Sequence, residues 1–127
     1  MRMTPRQDDD FFWDGVDRGE LLAQRCEACE TLRHPPLPRC LHCGSPDWHA
    51  EPLSGRGTVL ASVDAVHPGR RDEEPRRVCL IDLAEGIRFV STVLDGDRVE
   101  NGVPVEVTFE TLDGHLLPLF RTAGAQA

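Results

Sequence analysis

The chain has 127 residues, enough for one domain or for a compact core with a small appendage. Its 14 basic residues, all Arg, face 22 acidic ones, giving a formal net charge of −8; it lacks the basic footprint that neutralises nucleic-acid phosphates. No run reaches the roughly 20 consecutive apolar residues of a membrane span, and residues 1–10 lack the apolar stretch of a secretory leader, so the expected location is the cytoplasm.

Asp8-Asp9-Asp10 precede Phe11-Phe12-Trp13, and Gly19 follows. Carboxylates suit a helix N-terminus and glycine a helix end, which predicts a short helix over residues 8–20. Such a helix is too short to stand alone in water. Phe12 and Val16 can share one face, whereas Phe11 and Trp13 point elsewhere. Either the aromatics pack on the rest of the chain, or Phe11, Phe12 and Trp13 anchor a partner protein, a role that aromatic side chains favour.

Residues 21–52 carry the most informative pattern: Cys26-Glu-Ala-Cys29 and Cys40-Leu-His-Cys43, with ten residues between the pairs. Each Cys-x-x-Cys turns two sulfurs toward one point, and two such knuckles enclose a tetrahedral metal ion. Structural disulfides are the alternative, disfavoured in a reducing compartment. Four protein sulfurs leave no open coordination position, so the expected metal is a structural zinc, with iron as the alternative. A ribbon with almost no core of its own should unfold without it. The arm between the knuckles, residues 31–39, is Pro-rich and extended. Gly44 supplies a left-handed turn after the second knuckle, while Glu30 stands at that position in the first and implies some strain. Residues 45–52 read as a connector, with Trp48 packing.

From Gly55 the period becomes two. Thr58–His67 alternates, with Val59, Ala61, Val63 and Ala65 on one face. Arg77–Leu83 is a central strand, Ile87–Leu94 a third, Val105–Glu110 a half-exposed fourth and Leu116–Phe120 a fifth. Glu85-Gly86 and Asp113-Gly114 are turns. Five short strands without a long helix predict a five-stranded OB-fold barrel over residues 53–122, followed by a disordered tail at 123–127. The fold class is therefore mainly β: a short helix, a zinc ribbon and a small barrel.

Few other residues suggest chemistry. Cys79 lies in an apolar strand and reads as a buried, inert thiol. His42 sits between two ligand cysteines whose metal is already fully coordinated. His67 ends a strand beside the charged loop and is the one histidine that invites a functional reading. Arg70, Arg71, Arg76 and Arg77 form a local basic cluster; it is either a solvated loop balanced by Asp72, Glu73 and Glu74, or a contact to an anion such as the phosphates of a nucleotide-bearing cofactor. No nucleophile–base arrangement or phosphate-cradling glycine loop is legible.

In sequence order, Phe11-Phe12-Trp13-Asp14-Gly15, Gly19-Glu-Leu21, Gln24-Arg25-Cys26-Glu-Ala-Cys29, Pro35-Pro36 and Cys40-Leu-His-Cys43-Gly-Ser45 are followed by Ser54-Gly55-Arg-Gly57-Thr-Val59, Val66-His67, Glu85-Gly86-Ile-Arg88, Gly102-Val-Pro-Val105, Val107-Thr-Phe109-Glu110 and Leu117-Pro-Leu-Phe120. This series resembles the DUF35 family of OB-fold proteins with a rubredoxin-like zinc ribbon, the acyl-CoA-associated OB-fold proteins, over nearly the whole chain. Leu41 replaces a frequent Pro and Glu30 a frequent Gly. The resemblance implies a non-catalytic subunit that assembles with a thiolase-like or ketosynthase-like enzyme, or a MaoC-type hydratase, acting on acyl-CoA thioesters in lipid or sterol degradation or acyl transfer. It implies hetero-oligomers and some assistance in binding the CoA ester. Two other readings compete: a nucleic-acid-binding ribbon and barrel, opposed by the acidic charge, and a stand-alone acyl-CoA enzyme using His67 or Cys79.

Overall fold

The computed structural model describes residues 10–65, 76–95, 99–112 and 114–123. Helix α1 (Asp10–Asp17) carries Asp10 in its first turn, where a carboxylate meets the positive end of the helix dipole. The helix closes in a Schellman turn. Gly19 is left-handed at φ 79°, its N–H donates to Val16 O at 3.0 Å, and the Glu20 N–H donates to Gly15 O at 2.8 Å. A Cβ on Gly15 would stand 2.7 Å from Leu22 Cδ1, so glycine lets the reversed chain pass closely over the helix end.

The chain divides into two compact units, Met1–Ser54 with Phe109–Pro118, and Gly55–Thr108 with Leu119–Ala127. In the first, β1 (Leu22–Cys26) is the middle strand between β2 (Leu32–Arg33) and β3 (Trp48–Pro52). Strand β3 pairs with β1 along its whole length, from Leu22 opposite Pro52 to Cys26 opposite Trp48. This corrects the expectation of a connector at residues 45–52. An edge strand needs only one row of backbone bonds, so His49, Ala50 and Glu51 need no apolar alternation, and Pro52 is tolerated there. Phe12, Val16, Leu21, Leu22, Ala23, Cys26, Cys40 and Leu117 are the buried apolar residues of this unit. Buried Gln24 ties down the Pro-rich arm: its Oε1 accepts from Arg33 Nε and from the Leu37 N–H, both at 2.8 Å.

Strands β4 (Arg56–Ala65), β5 (Arg76–Leu83), β6 (Arg88–Ser91), β7 (Pro104–Leu112) and β8 (His115–Thr122) form a curled five-stranded sheet in the order β6-β5-β4-β7-β8. At its outer strands, the segment after β6 meets β8 in a parallel bridge between Val93 and Phe120. The Leu94 N–H donates to Phe120 O at 2.8 Å, and the Phe120 N–H to Thr92 O at 2.9 Å. This stitch between the two edges is what makes the sheet an OB-fold half-barrel. Val59, Cys79, Ile81, Leu83, Phe89, Val93, Val105, Leu119 and Phe120 fill the interior, with the Phe89 and Phe120 rings 6.0 Å apart.

One face assignment is corrected. Val59 is 1 % exposed but Val63 is 61 % exposed, although strict alternation would put them together. The register of β4 against β5 slips between Val59 and Ala61. That bulge absorbs Leu60 and turns Ala61 and Val63 to the outer surface, as bulges do in curled sheets. Gly57 lies where β4 crosses β5 closely: a Cβ there would be 2.5 Å from Asp82 O. Among the described residues, no helix is long and apolar enough to cross a membrane.

Candidate metal centre

The two knuckles are built alike. The Cys26 N–H donates to Thr31 O and the Glu30 N–H to Cys26 O, both at 2.9 Å; the Cys40 N–H donates to Ser45 O at 2.9 Å and the Gly44 N–H to Cys40 O at 2.8 Å. Each turn closes through a left-handed residue, Glu30 at φ 65° and Gly44 at φ 80°. For glutamate that conformation costs roughly 1–2 kcal/mol. Arg25 Nη1, donating to Glu30 O at 2.6 Å, helps hold it in place. Strand β1 delivers Cys26 at its end, and the arm fixed by Gln24 returns the chain for Cys40.

All four sulfurs lie within 4.8 Å of one another. Cys26 Sγ is 3.5 Å from Cys43 Sγ, and Cys29 Sγ is 3.6 Å from Cys40 Sγ. Zinc–sulfur bonds of about 2.3 Å place tetrahedral sulfurs about 3.8 Å apart, so the donor set fits such an ion with little adjustment. The five cysteines are free thiols. Cys26 and Cys40 are buried, Cys29 half-buried and Cys43 exposed.

The local electrostatics favour thiolates at the first cysteine of each knuckle. The Cys29 amide, with the Ala28 amide behind it, lowers the Cys26 thiol below its ordinary value. The Cys43 amide, then that of His42, lowers Cys40 to about 6. At Cys43 the Ser45 amide pulls down, but the Cys26 side chain, burial, and the Cys29 and Cys40 side chains together push the thiol up to about 12.

The other expected site residues are placed as follows. Phe12 is 6 % exposed, with its ring 5.0 Å from Trp13 and 5.6 Å from His34. Phe11 is half-buried with its ring 4.7 Å from Trp48, and Trp13 is half-buried. His42 is exposed and Cys79 is fully buried. Arg77 Nη1 donates to Val93 O and Asp95 O, each at 3.4 Å, on the way out of the barrel. His67, Arg70 and Arg71 lie outside the described residues, as does the side chain of Arg76. Sequence reasoning gave no role to Arg33 or Thr31, and quoted Gln24 only as part of a motif. The shared pattern Cys-x-x-Cys-x-Thr and Cys-x-x-Cys-x-Ser was the available signal for Thr31. Nothing in the sequence marks Gln24 as a buried hub.

Comparison with known proteins now adds the family. Residues 13–49 match the family described as "ChsH2, rubredoxin-like zinc ribbon domain", and residues 50–110 match "ChsH2, C-terminal OB-fold domain". The structure described as "Ltp2-ChsH2(DUF35) aldolase" is similar over 97 % of this chain and 100 % of its own, at 38 % identity and a TM-score of 0.85. This chain belongs to the DUF35 family of OB-fold proteins with a rubredoxin-like zinc ribbon. A DUF35 protein of unknown function from Sulfolobus solfataricus shares the fold at 14 % identity, with a TM-score of 0.66 over 91 % of this chain and 85 % of its own. Two curated relatives are each 40 % identical. One is a "Probable enoyl-CoA hydratase alpha subunit" of Thermomonospora curvata, matched over 98 % of this chain and 40 % of the relative. The other is the "3-oxo-4,17-pregnadiene-20-carboxyl-CoA hydratase alpha subunit" of Mycobacterium tuberculosis, matched over 86 % and 36 %. The DUF35 chain thus spans about two fifths of the curated relatives it matches. Its two curated relatives are named as subunits of acyl-CoA hydratases, and its four cysteines are positioned for metal binding.

Proposed function

We propose that this DUF35 chain is a non-catalytic accessory subunit that forms a hetero-oligomer with an enzyme acting on acyl-CoA thioesters. The partner classes are thiolase- or ketosynthase-like enzymes and MaoC-type hydratases. One observation carries the reading: the chain is similar, over nearly its whole length, to all of the DUF35 chain in the Ltp2-ChsH2(DUF35) aldolase. The hydratase names belong to relatives of which only two fifths is matched. A partner of the kind found in that aldolase is therefore preferred over a hydratase.

Under this reading the ribbon is residues 21–52 and the OB-fold domain residues 53–122. Cys26, Cys29, Cys40 and Cys43 hold a structural zinc, with iron the less suited ion. A metal held by four protein sulfurs has no open position for substrate, so it serves as a staple for the arm and not as a Lewis acid. The half-buried faces of Phe11 and Trp13 contact the partner, while Phe12 supports them from the core. The phosphates of a CoA ester are the proposed contact of Arg70, Arg71, Arg76, Arg77 and His67. The protein works in the cytoplasm, and the net charge of −8 sets it apart from nucleic-acid-binding ribbons.

Co-expression with the thiolase-like or hydratase-like product of a neighbouring gene tests the assembly. One complex of fixed stoichiometry is expected from size exclusion. A chain that elutes alone beside an abundant, fully active partner would count against the proposal.

A further inference from the structure

Both knuckles repeat one pattern: Cys-x-x-Cys, a left-handed residue, then a hydroxyl residue, Thr31 in the first and Ser45 in the second. The backbone uses the two hydroxyl residues identically, each carbonyl accepting from the first cysteine of its knuckle at 2.9 Å. Their side chains diverge. Ser45 Oγ accepts from the Asp47 N–H at 3.2 Å and caps the turn toward β3. Thr31 Oγ1 lies 3.1 Å from Cys29 Sγ. A metal-bound thiolate offers only lone pairs, so in the loaded site the hydroxyl must be the donor and the sulfur the acceptor.

Elsewhere in the cluster a backbone amide plays the donor. The His42 N–H reaches Cys40 Sγ at 3.4 Å. We infer that Thr31 is a positioning residue of the metal centre, its hydroxyl donating to the Cys29 thiolate as the His42 amide does to Cys40. The inference rests on the reading of the four-cysteine cluster as a metal site. Four thiolates around a dication leave two surplus negative charges on a chain already at −8. Each donor aimed at a sulfur disperses that charge and fixes the sulfur's lone pairs toward the ion.

The test uses the full chain and two substitutions, Thr31→Val and Thr31→Ser. Neither changes the backbone carbonyl that closes the knuckle, and Thr31 is exposed, so both should fold. Competition against a chromophoric chelator gives the zinc affinity, and cobalt(II) substitution gives the thiolate-to-metal charge-transfer band. Thr31→Val should lower zinc affinity on the order of 10-fold, the lower end for loss of an outer-shell hydrogen bond. Its cobalt band should move to lower energy, because an undonated thiolate is the more electron-rich. Thr31→Ser should restore both readouts. A Thr31→Val protein equal to wild type in affinity and spectrum overturns the inference. Loss of affinity in Thr31→Ser equal to that in Thr31→Val also overturns it, since the hydroxyl would then not be the active group. A wild-type chain that takes up no cobalt in a tetrahedral thiolate site overturns the metal reading, and this inference with it.

Discussion

Metal removal offers a perturbation whose effect is confined to one unit and read by two reporters. Both tryptophans of the chain, Trp13 and Trp48, lie in the unit that holds the four cysteines, and the chain has no tyrosine. Trp48 sits opposite Cys26 in the β1–β3 pairing and against Phe11; Trp13 packs on Phe12. The knuckles place ligand sulfurs at both ends of the Pro-rich arm, and β2 contributes only two residues of sheet. A structural zinc in such a ribbon contributes about 10–16 kcal/mol, as much as the entire stability of about 5–15 kcal/mol expected of a domain. Stripping the metal should therefore melt the ribbon. Tryptophan emission should shift to the red and the near-ultraviolet dichroism should collapse, while the far-ultraviolet β signal of the barrel persists. Because protons compete with the metal for thiolates, the same change should follow acidification of the loaded protein. Tryptophan signals unchanged after the metal content falls below about a tenth of an equivalent would refute the reasoning.

Three substitutions probe the rest of the structure. Gly55→Ala combines a left-handed φ of 79° with a Cβ 2.2 Å from Val107 Cγ1; strain and overpacking together should cost about 2–5 kcal/mol in urea unfolding, and a loss below about 1 kcal/mol would contradict the geometry. Asp95 accepts from the Thr122 hydroxyl at 2.7 Å and from the Thr122 N–H at 2.8 Å, which holds its pKa below the ordinary carboxylate value. Its contribution is thus fully present above the unfolded value of about 3.9 and is lost as pH falls through the lower folded value. Asp95→Ala should cost about 1–3 kcal/mol at pH 7, and the difference from wild type should shrink toward pH 2 in thermal melts. Arg33 is 6 % exposed, yet its Nη1 and Nη2 meet no acceptor among the described residues. Arg33→Met keeps the bond from the Leu37 N–H to Gln24, so stability should change by less than about 1 kcal/mol or rise; a loss above about 3 kcal/mol would reveal a partner for the guanidinium.

The metal centre was legible because its information is local. Two sequence-adjacent knuckles carry both ligand and turn signals, down to the left-handed position that Gly44 fills in the second and Glu30 takes in the first. The barrel strands were legible from apolar alternation in β7 and from short apolar runs in β5 and β8. Two features were not. Strand β3 is held by backbone bonds to β1, and backbone pairing leaves no mark on a sequence such as Trp48-His49-Ala50-Glu51-Pro52. The bulge at Leu60 swaps the two faces of β4, and a one-residue slip is invisible to period counting because every residue type involved fits either face. The Thr31 contact needed three dimensions for a different reason: Ser45 holds the equivalent sequence position and turns its hydroxyl elsewhere.

The central claim, that this DUF35 chain supports an acyl-CoA enzyme without performing the reaction itself, is tested most directly by reconstituted turnover. The purified chain, the enzyme with which it co-purifies and the two mixed would be assayed on an acyl-CoA substrate of that enzyme. The account predicts no turnover by the metal-loaded chain alone, weak turnover by the partner alone, and a rise to a plateau as the chain is titrated to a fixed ratio. Turnover by the isolated chain, or a partner equally active without it, would contradict the account.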